Sequence, residues 1–328
     1  MKLLTKSLLA LALTSSFTAC IKNDDAPAGL QKAIPTADQV KINLPQSASR
    51  SVGQLADWYV ATRNVTATFN GGSAWVLVLV HTIVQFPVTT VDGDVYTWGP
   101  WHDGALAPAE YRLDVTDNED GTYNYQLLGR SRTETNAQFE VVIDGFADPR
   151  PGELQGNGSF KLDFDAGKRV NPIDADPTAR GSILAKYDLA AKHLELGIDS
   201  TNDAGEPVAA DYTYNEAASG AGDMVFDVDG DAGGGAAKEH ITLRSRWNSD
   251  GNGRADARVT DGDITAAIDA QNLQASLPDG VHASECWDGM FKRTFYTNNL
   301  AQYDAAFPQP EGDVSACAFA TEDLPPAN

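Results

Sequence analysis

Apolar and polar residues alternate with period two from Asp94 almost to the end of this 328-residue sequence, and turn signals break the alternation at intervals. No other feature constrains the fold as strongly. In Phe160-Lys161-Leu162-Asp163-Phe164-Asp165, an extended backbone sends Phe160, Leu162 and Phe164 to one side and Lys161, Asp163 and Asp165 to the other. Arg112 to Val115, His193 to Leu196, Phe226 to Asp229 and Ile241 to Arg244 follow the same pattern. Between them stand Asn118-Glu119-Asp120-Gly121, Asn202-Asp203-Ala204-Gly205, Asp229-Gly230-Asp231, Asp250-Gly251-Asn252-Gly253 and Asp261-Gly262-Asp263, sequences suited to tight turns. The spacing predicts about ten to twelve antiparallel strands and shows no strand-helix-strand alternation.

The stretch from Val52 to Phe86 differs. Leu55, Trp58, Tyr59, then Trp75, Val76, Leu79, Val80 and Ile83 suit two amphipathic helices separated by Asn70-Gly71-Gly72, with Ser73 as N-cap of the second and Pro87 beyond its end. The β-branched run Val76 to Val84 keeps a strand open as an alternative there. The expected class is therefore mainly β with N-terminal helices (α+β): a long antiparallel meander or half-barrel, curled by strand twist, with its inner face under a helical cover. At about 150 residues per domain the length would allow two domains, but one β-rich domain over 51–328 accommodates the pattern, with helices at about 52–86, strands at about 94–297 and a tail at about 298–328. With 46 acidic against 24 basic residues the net charge is −22, which repels nucleic-acid phosphates and excludes that class of partner.

The amino terminus reads as an address. Lys2 and Lys6 precede the short apolar run Leu8 to Leu13, and small residues lead to Cys20, the layout of a secretion signal too short to span a bilayer. Phe17-Thr18-Ala19-Cys20 resembles the lipobox of bacterial lipoproteins. The resemblance implies a signal peptide over 1–19, cleavage before Cys20 and fatty acylation of that residue. Ile21 rather than Asp after the Cys implies, by the same family's sorting rule, the outer membrane of a Gram-negative cell, with the domain facing periplasm or cell surface. Residues 20–50, rich in Asp, Ala, Pro, Gln and Lys, read as a tether reaching on the order of 30 Å.

With Cys20 acylated, Cys286 and Cys317 remain as an even pair in an oxidising compartment, and a disulfide clipping the tail is expected. It would contribute about 3 kcal/mol on a chain-entropy basis. Two thiols with only His282 near them in sequence make a poor zinc site.

The order of elements, helices followed by a long meander, resembles the half-barrel of periplasmic lipoprotein carriers and lipid-binding lipoproteins. Trp98-Gly99-Pro100-Trp101, the run Arg244 to Asp256, and Glu285-Cys286-Trp287-Asp288 resemble segments of uncharacterised secreted lipoproteins of Gram-negative bacteria. That resemblance implies location and an intact domain and brings no activity with it.

Candidate chemistry is sparse. Asn248, Asp250, Asn252 and Asp256 fall at positions one, three, five and nine of a calcium-loop pattern with Gly253 at six. Val259 occupies the twelfth position, where a bidentate Glu would be needed. The competing reading is a hairpin turn using Gly and Asn for positive φ. A weakly held calcium ion is the only cofactor suggested. The pairs Asp92/Asp94, Asp227/Asp229 and Asp261/Asp263 read as solvated strand faces rather than catalytic dyads. His81, His102, His193, His240 and His282 lack metal spacing, and no nucleophile elbow, P-loop or zinc-protease motif occurs. Trp98, Trp101, Tyr111, Tyr123 and Tyr125 form an aromatic neighbourhood that suits core packing or a ligand surface. The expectation is a non-enzymatic lipoprotein, anchored to the membrane by covalent lipid, that binds an apolar or amphipathic ligand or an envelope protein. The alternatives are a glycan-binding or hydrolytic module with calcium-stabilised loops, and a purely structural envelope protein.

Overall fold

A computed structural model describes residues 55–84, 87–152, 155–201, 205–230, 238–260, 277, 280–303 and 309–324. The signal segment, Cys20, the tether and the Asp261/Asp263 pair lie outside the described residues. Helix α1 spans Asp57–Val84 and helix α2 Phe164–Val170. Among the described residues fifteen strands stand in the sheet in sequence order, an antiparallel meander of the expected class. The count exceeds ten to twelve partly because β1 (Thr90–Asp92) and β15 (Glu311–Gly312) are too short to show alternation. The described residues divide into two compact units, 71–190 and 55–70 with 191–324.

Two helices were expected before Pro87, and one is found. It runs through Asn70-Gly71-Gly72, and Ser73 lies in its interior instead of capping a second helix. Two glycines cost about 2 kcal/mol relative to Ala. They are tolerated because buried positions continue at helical spacing on either side: Tyr59, Thr62, Thr66 and Asn70, then Val76, Val80, Ile83 and Val84.

The first unit holds β1, β2 (Val95–Trp101), β3 (Ala109–Asp117), β4 (Tyr123–Ser131), β5 (Glu140–Asp148), β6 (Asn157–Asp163) and β7 (Ser182–Asp188). The alternation expected through Asp165 stops two residues earlier, at Asp163. Asp163 turns its carboxylate to the Ala166 amide at 2.8 Å and N-caps α2, a local bond that extended backbone does not offer.

The second unit holds β8 (His193–Thr201), β9 (Pro207–Glu216), β10 (Gly222–Gly230), β11 (Glu239–Trp247), β12 (Gly253–Thr260), β13 (Val281–Trp287), β14 (Arg293–Asn298) and β15. The start of α1 is fixed to this sheet. Tyr59 stacks on Phe291 at 4.2 Å, Phe69 lies against Tyr212 at 5.0 Å, and the Tyr212 hydroxyl donates to Asn70 Oδ1 at 3.1 Å. Glu285, fully buried on β13, accepts from the Asp57 and Trp58 amides at 3.2 and 2.5 Å and from Arg293. A carboxylate supplied from the sheet thus satisfies two orphan donors at the helix start, where the dipole also favours negative charge.

Burial pushes the Glu285 carboxyl above the usual carboxylate range, and Arg293 and the two amides offset only part of that rise. The folded chain therefore holds this proton more tightly than the unfolded chain. The site's contribution is fully present below the unfolded value and is lost as pH rises through the folded one. In urea unfolding at a series of pH values, Glu285→Gln should gain stability relative to wild type as pH rises from about 4.3, the ordinary Glu value, towards neutrality. A slope of opposite sign would mean that the Arg293 pairing outweighs desolvation.

Two devices recur along the meander. In the first, an aromatic ring lies over the glycine directly opposite it on the neighbouring strand: Tyr111 over Gly129, Tyr125 over Gly145, Tyr187 over Gly158, Trp247 over Gly222 and Trp287 over Gly253. A methyl group built on Gly145 or Gly253 would stand 2.1 or 2.3 Å from the ring above it, so only glycine fits. The second is a five-residue turn closed by a bond from its first amide to its last carbonyl: Asn118–Thr122, Ala217–Ala221, Asn248–Asn252 and Asp288–Lys292. Its fourth residue has positive φ and is Gly121, Gly220 or Gly251 in three cases and Phe291, at +62°, in the fourth. The stack of Phe291 on Tyr59 holds a side chain in a conformation that otherwise favours glycine.

Candidate functional site

The site that the geometry assembles lies on the outer face of the first unit's sheet. Alternation turns Leu113, Tyr125, Ile143 and Phe160 into the core and leaves Asp114, Gln126, Asp144 and Lys161 outward. Strand register then aligns these four, with Thr97 before them and Leu184 after, into one row across β2 to β7. Thr116, Asn124, Phe146 and Ser159 form the next row. The rows line an open groove of about 450 Å³.

Part of the row's bonding capacity is spent within it. Thr97 donates to Asp114 Oδ1 at 2.9 Å, Arg112 donates to its other oxygen at 3.0 Å, and the Gln126 amide donates to Asp144 Oδ1 at 2.9 Å. The rest faces solvent. Asp144 Oδ2, the Gln126 carbonyl, the Lys161 ammonium and the Thr116 and Ser159 hydroxyls have no protein partner among the described residues. Neighbouring strands are about 4.8 Å apart, so donors and acceptors recur along the row at about that interval. Half-buried Phe146 offers a ring face among them.

The residues singled out from the sequence fall elsewhere. Cys286 and Cys317 form the expected disulfide, with Cα atoms 5.5 Å apart. Asn248, Asp250 and Asn252 lie together in the turn between β11 and β12, where Asn248 Oδ1 accepts from the Asp250 and Asn252 amides, each at 3.1 Å. Asp288 Oδ1 serves the turn between β13 and β14 identically, accepting from Met290 and Lys292 at 2.9 and 3.0 Å. Asp256 is not with the turn residues. It is buried in β12 with its carboxylate engaged by Arg254, Ser284 and the Asp323 amide. Among the described residues no cluster of three or more His, Cys, Asp or Glu side chains is arranged to hold a metal ion.

His102, His193, His240 and His282 make separate local bonds, to the Gly104 carbonyl, to Asn215 and Glu195, to Asp229, and to Glu322. Asp92 is exposed at the β1 edge, while Asp227 and Asp229 project from β10. Trp98, Tyr123 and Tyr125 are core residues, and Trp101 and Tyr111 are half-buried. The groove went unread in the sequence, although its signal was present in the polar half of each alternating segment, Lys161 included. No helix among the described residues is long and apolar enough to cross a membrane.

Comparison with protein-family models, with curated proteins and with solved structures gives no match for this chain.

Proposed function

We propose that this chain is a non-enzymatic, lipid-anchored protein of the bacterial outer membrane whose first unit binds a glycan along the groove of β3 to β7. The observation that carries the binding reading is the register-aligned row Asp114, Gln126, Asp144 and Lys161, polar and partly unsatisfied, beside the Phe146 ring. Hydroxyl-rich ligands need paired donors and acceptors plus an aromatic face, and this surface supplies them. The polar lining favours a glycan over the apolar ligand first expected.

Titration calorimetry with chitohexaose, maltohexaose and cellohexaose tests the reading. One of the three should bind, and Asp144→Ala and Phe146→Ala should each weaken it by about 1 to 2 kcal/mol, roughly 5- to 30-fold. No heat with any of them, or binding indifferent to both substitutions, refutes it. Anchoring rests on Cys20 in the lipobox-like Phe17-Thr18-Ala19-Cys20. Cys20→Ser should move the protein from the sedimenting envelope fraction to the soluble fraction, because several acyl chains at about 0.8 kcal/mol per buried CH₂ supply the membrane affinity. Unchanged sedimentation would remove the lipoprotein reading.

A further inference from the structure

The disulfide fastens a strap across the outer face of β11 to β13. Asp313 caps the 3₁₀ turn Val314–Ala316, Cys317 bonds to Cys286, and the chain continues over an arginine surface. Three successive backbone carbonyls face guanidinium groups: Phe319 and Ala320 accept from Arg254 at 3.4 and 3.2 Å, and Thr321 accepts from Arg246. The Phe319 ring lies under the Arg246 guanidinium at 5.1 Å, and Glu322 pairs with His282 at 3.1 Å. The strap itself is largely exposed, yet Arg254 beneath it is only 4% exposed.

Two donors there are unused. The Nε atoms of Arg244 and Arg246 are shielded from water and have no acceptor among the described residues. Arg244 stands opposite Asp256, whose carboxylate is already taken by Arg254, Ser284 and Asp323. Of the four arginines on this face Arg254 is neutralised by Asp256, whereas Arg244 and Arg246, in a chain of net charge −22, have no carboxylate partner among the described residues, and the strap offers Arg246 only the Thr321 carbonyl and the Phe319 ring.

We propose that this arginine face is a binding site for a small phosphorylated ligand, and that the strap is its disulfide-latched cover. Carbonyls 319 to 321 occupy the places of phosphate oxygens, which guanidinium forks bind more strongly. A dithiol reductant opens the latch: it gives up two electrons and two protons and closes to its own disulfide, while the Cys286–Cys317 bond breaks to two thiols. A soluble ligand is favoured over an anionic membrane surface, because the surrounding negative charge opposes approach of an extended anionic sheet.

The test titrates the full chain with inorganic pyrophosphate, with the disulfide intact and in Cys286→Ser/Cys317→Ser, while hydrogen exchange over 313–324 reports whether the strap has left. Opening should tighten binding at least tenfold, and Arg244→Gln with Arg246→Gln should abolish the gain. Should the double Ser variant fail to fold, Phe319→Ala/Glu322→Gln loosens the strap with the disulfide kept, and it should tighten binding in the same sense. Equal affinity in closed and loosened chains, no binding in either, or a strap that stays protected after opening overturns the proposal. So does binding confined to phosphatidylglycerol vesicles. Because the groove lies in the other unit and is tested with oligosaccharides, the two readings fail independently.

Discussion

Arg254→Ala should destabilise the protein by about 3 to 5 kcal/mol, the usual cost of leaving one partner of a buried ion pair unpaired. Arg254 and Asp256 are 4% and 1% exposed, and the guanidinium Nε donates to both carboxylate oxygens at 2.8 and 3.1 Å. Without it Asp256 retains Ser284 Oγ at 2.6 Å and the Asp323 amide at 3.1 Å, two donors of which neither is charged. The strap also loses the arginine that holds Phe319 and Ala320. Combining Arg254→Met with Asp256→Asn should recover much of the loss, because the charge that needed compensation is gone. Urea unfolding of the two variants measures this. A loss below about 1 kcal/mol in Arg254→Ala would place the pair in the weak class of solvated surface bridges.

Trp287→Ala should cost a comparable amount, about 3 to 5 kcal/mol. The side chain is 3% exposed, lies over Gly253, approaches Tyr59 at 5.8 Å and donates from Nε1 to the Gly251 carbonyl at 3.0 Å. Gly253→Ala attacks the same contact from the other side, since its methyl group would stand 2.3 Å from the indole, and overpacking of this kind costs about 1 to 3 kcal/mol. In the double variant the added methyl meets the space vacated by the ring. The two losses should then combine to less than their sum by at least about 0.5 kcal/mol, a coupling that a double-mutant cycle reads directly. Strict additivity would show that the ring and the glycine do not constrain each other.

Those two substitutions probe features of unequal legibility. Period-two alternation and the turn signals gave the antiparallel meander, because burial of one sheet face writes itself into every second residue; Phe160, Leu162, Leu194 and Leu196 are buried as that pattern requires. Redox compartment and parity led to the Cys286–Cys317 bond. Helix α1 was misread as two because local propensity at Gly71-Gly72 was weighed without the sheet that receives Tyr59, Phe69 and Asn70. Gly251-Asn252-Gly253 reads in the sequence as turn residues alone, and Gly220-Ala221-Gly222 carries no signal singled out there. Each also seats a tryptophan, Trp247 or Trp287, which covers the second glycine and donates to the first glycine's carbonyl. The groove was the least legible feature. Its row is a product of register between five strands, and no single segment records which polar residue will stand beside which.

The strictly sequential strand order carries a kinetic consequence. Each ladder joins chain neighbours, often across a turn as short as Asn118–Thr122 or Asn248–Asn252, so little loop entropy is lost before each new pairing is rewarded. Such a chain can zip outward from whichever hairpin forms first, as repeat arrays propagate from any nucleus. It can also gain or lose a terminal hairpin without rethreading the remainder, which makes length the easiest property of this architecture for evolution to change.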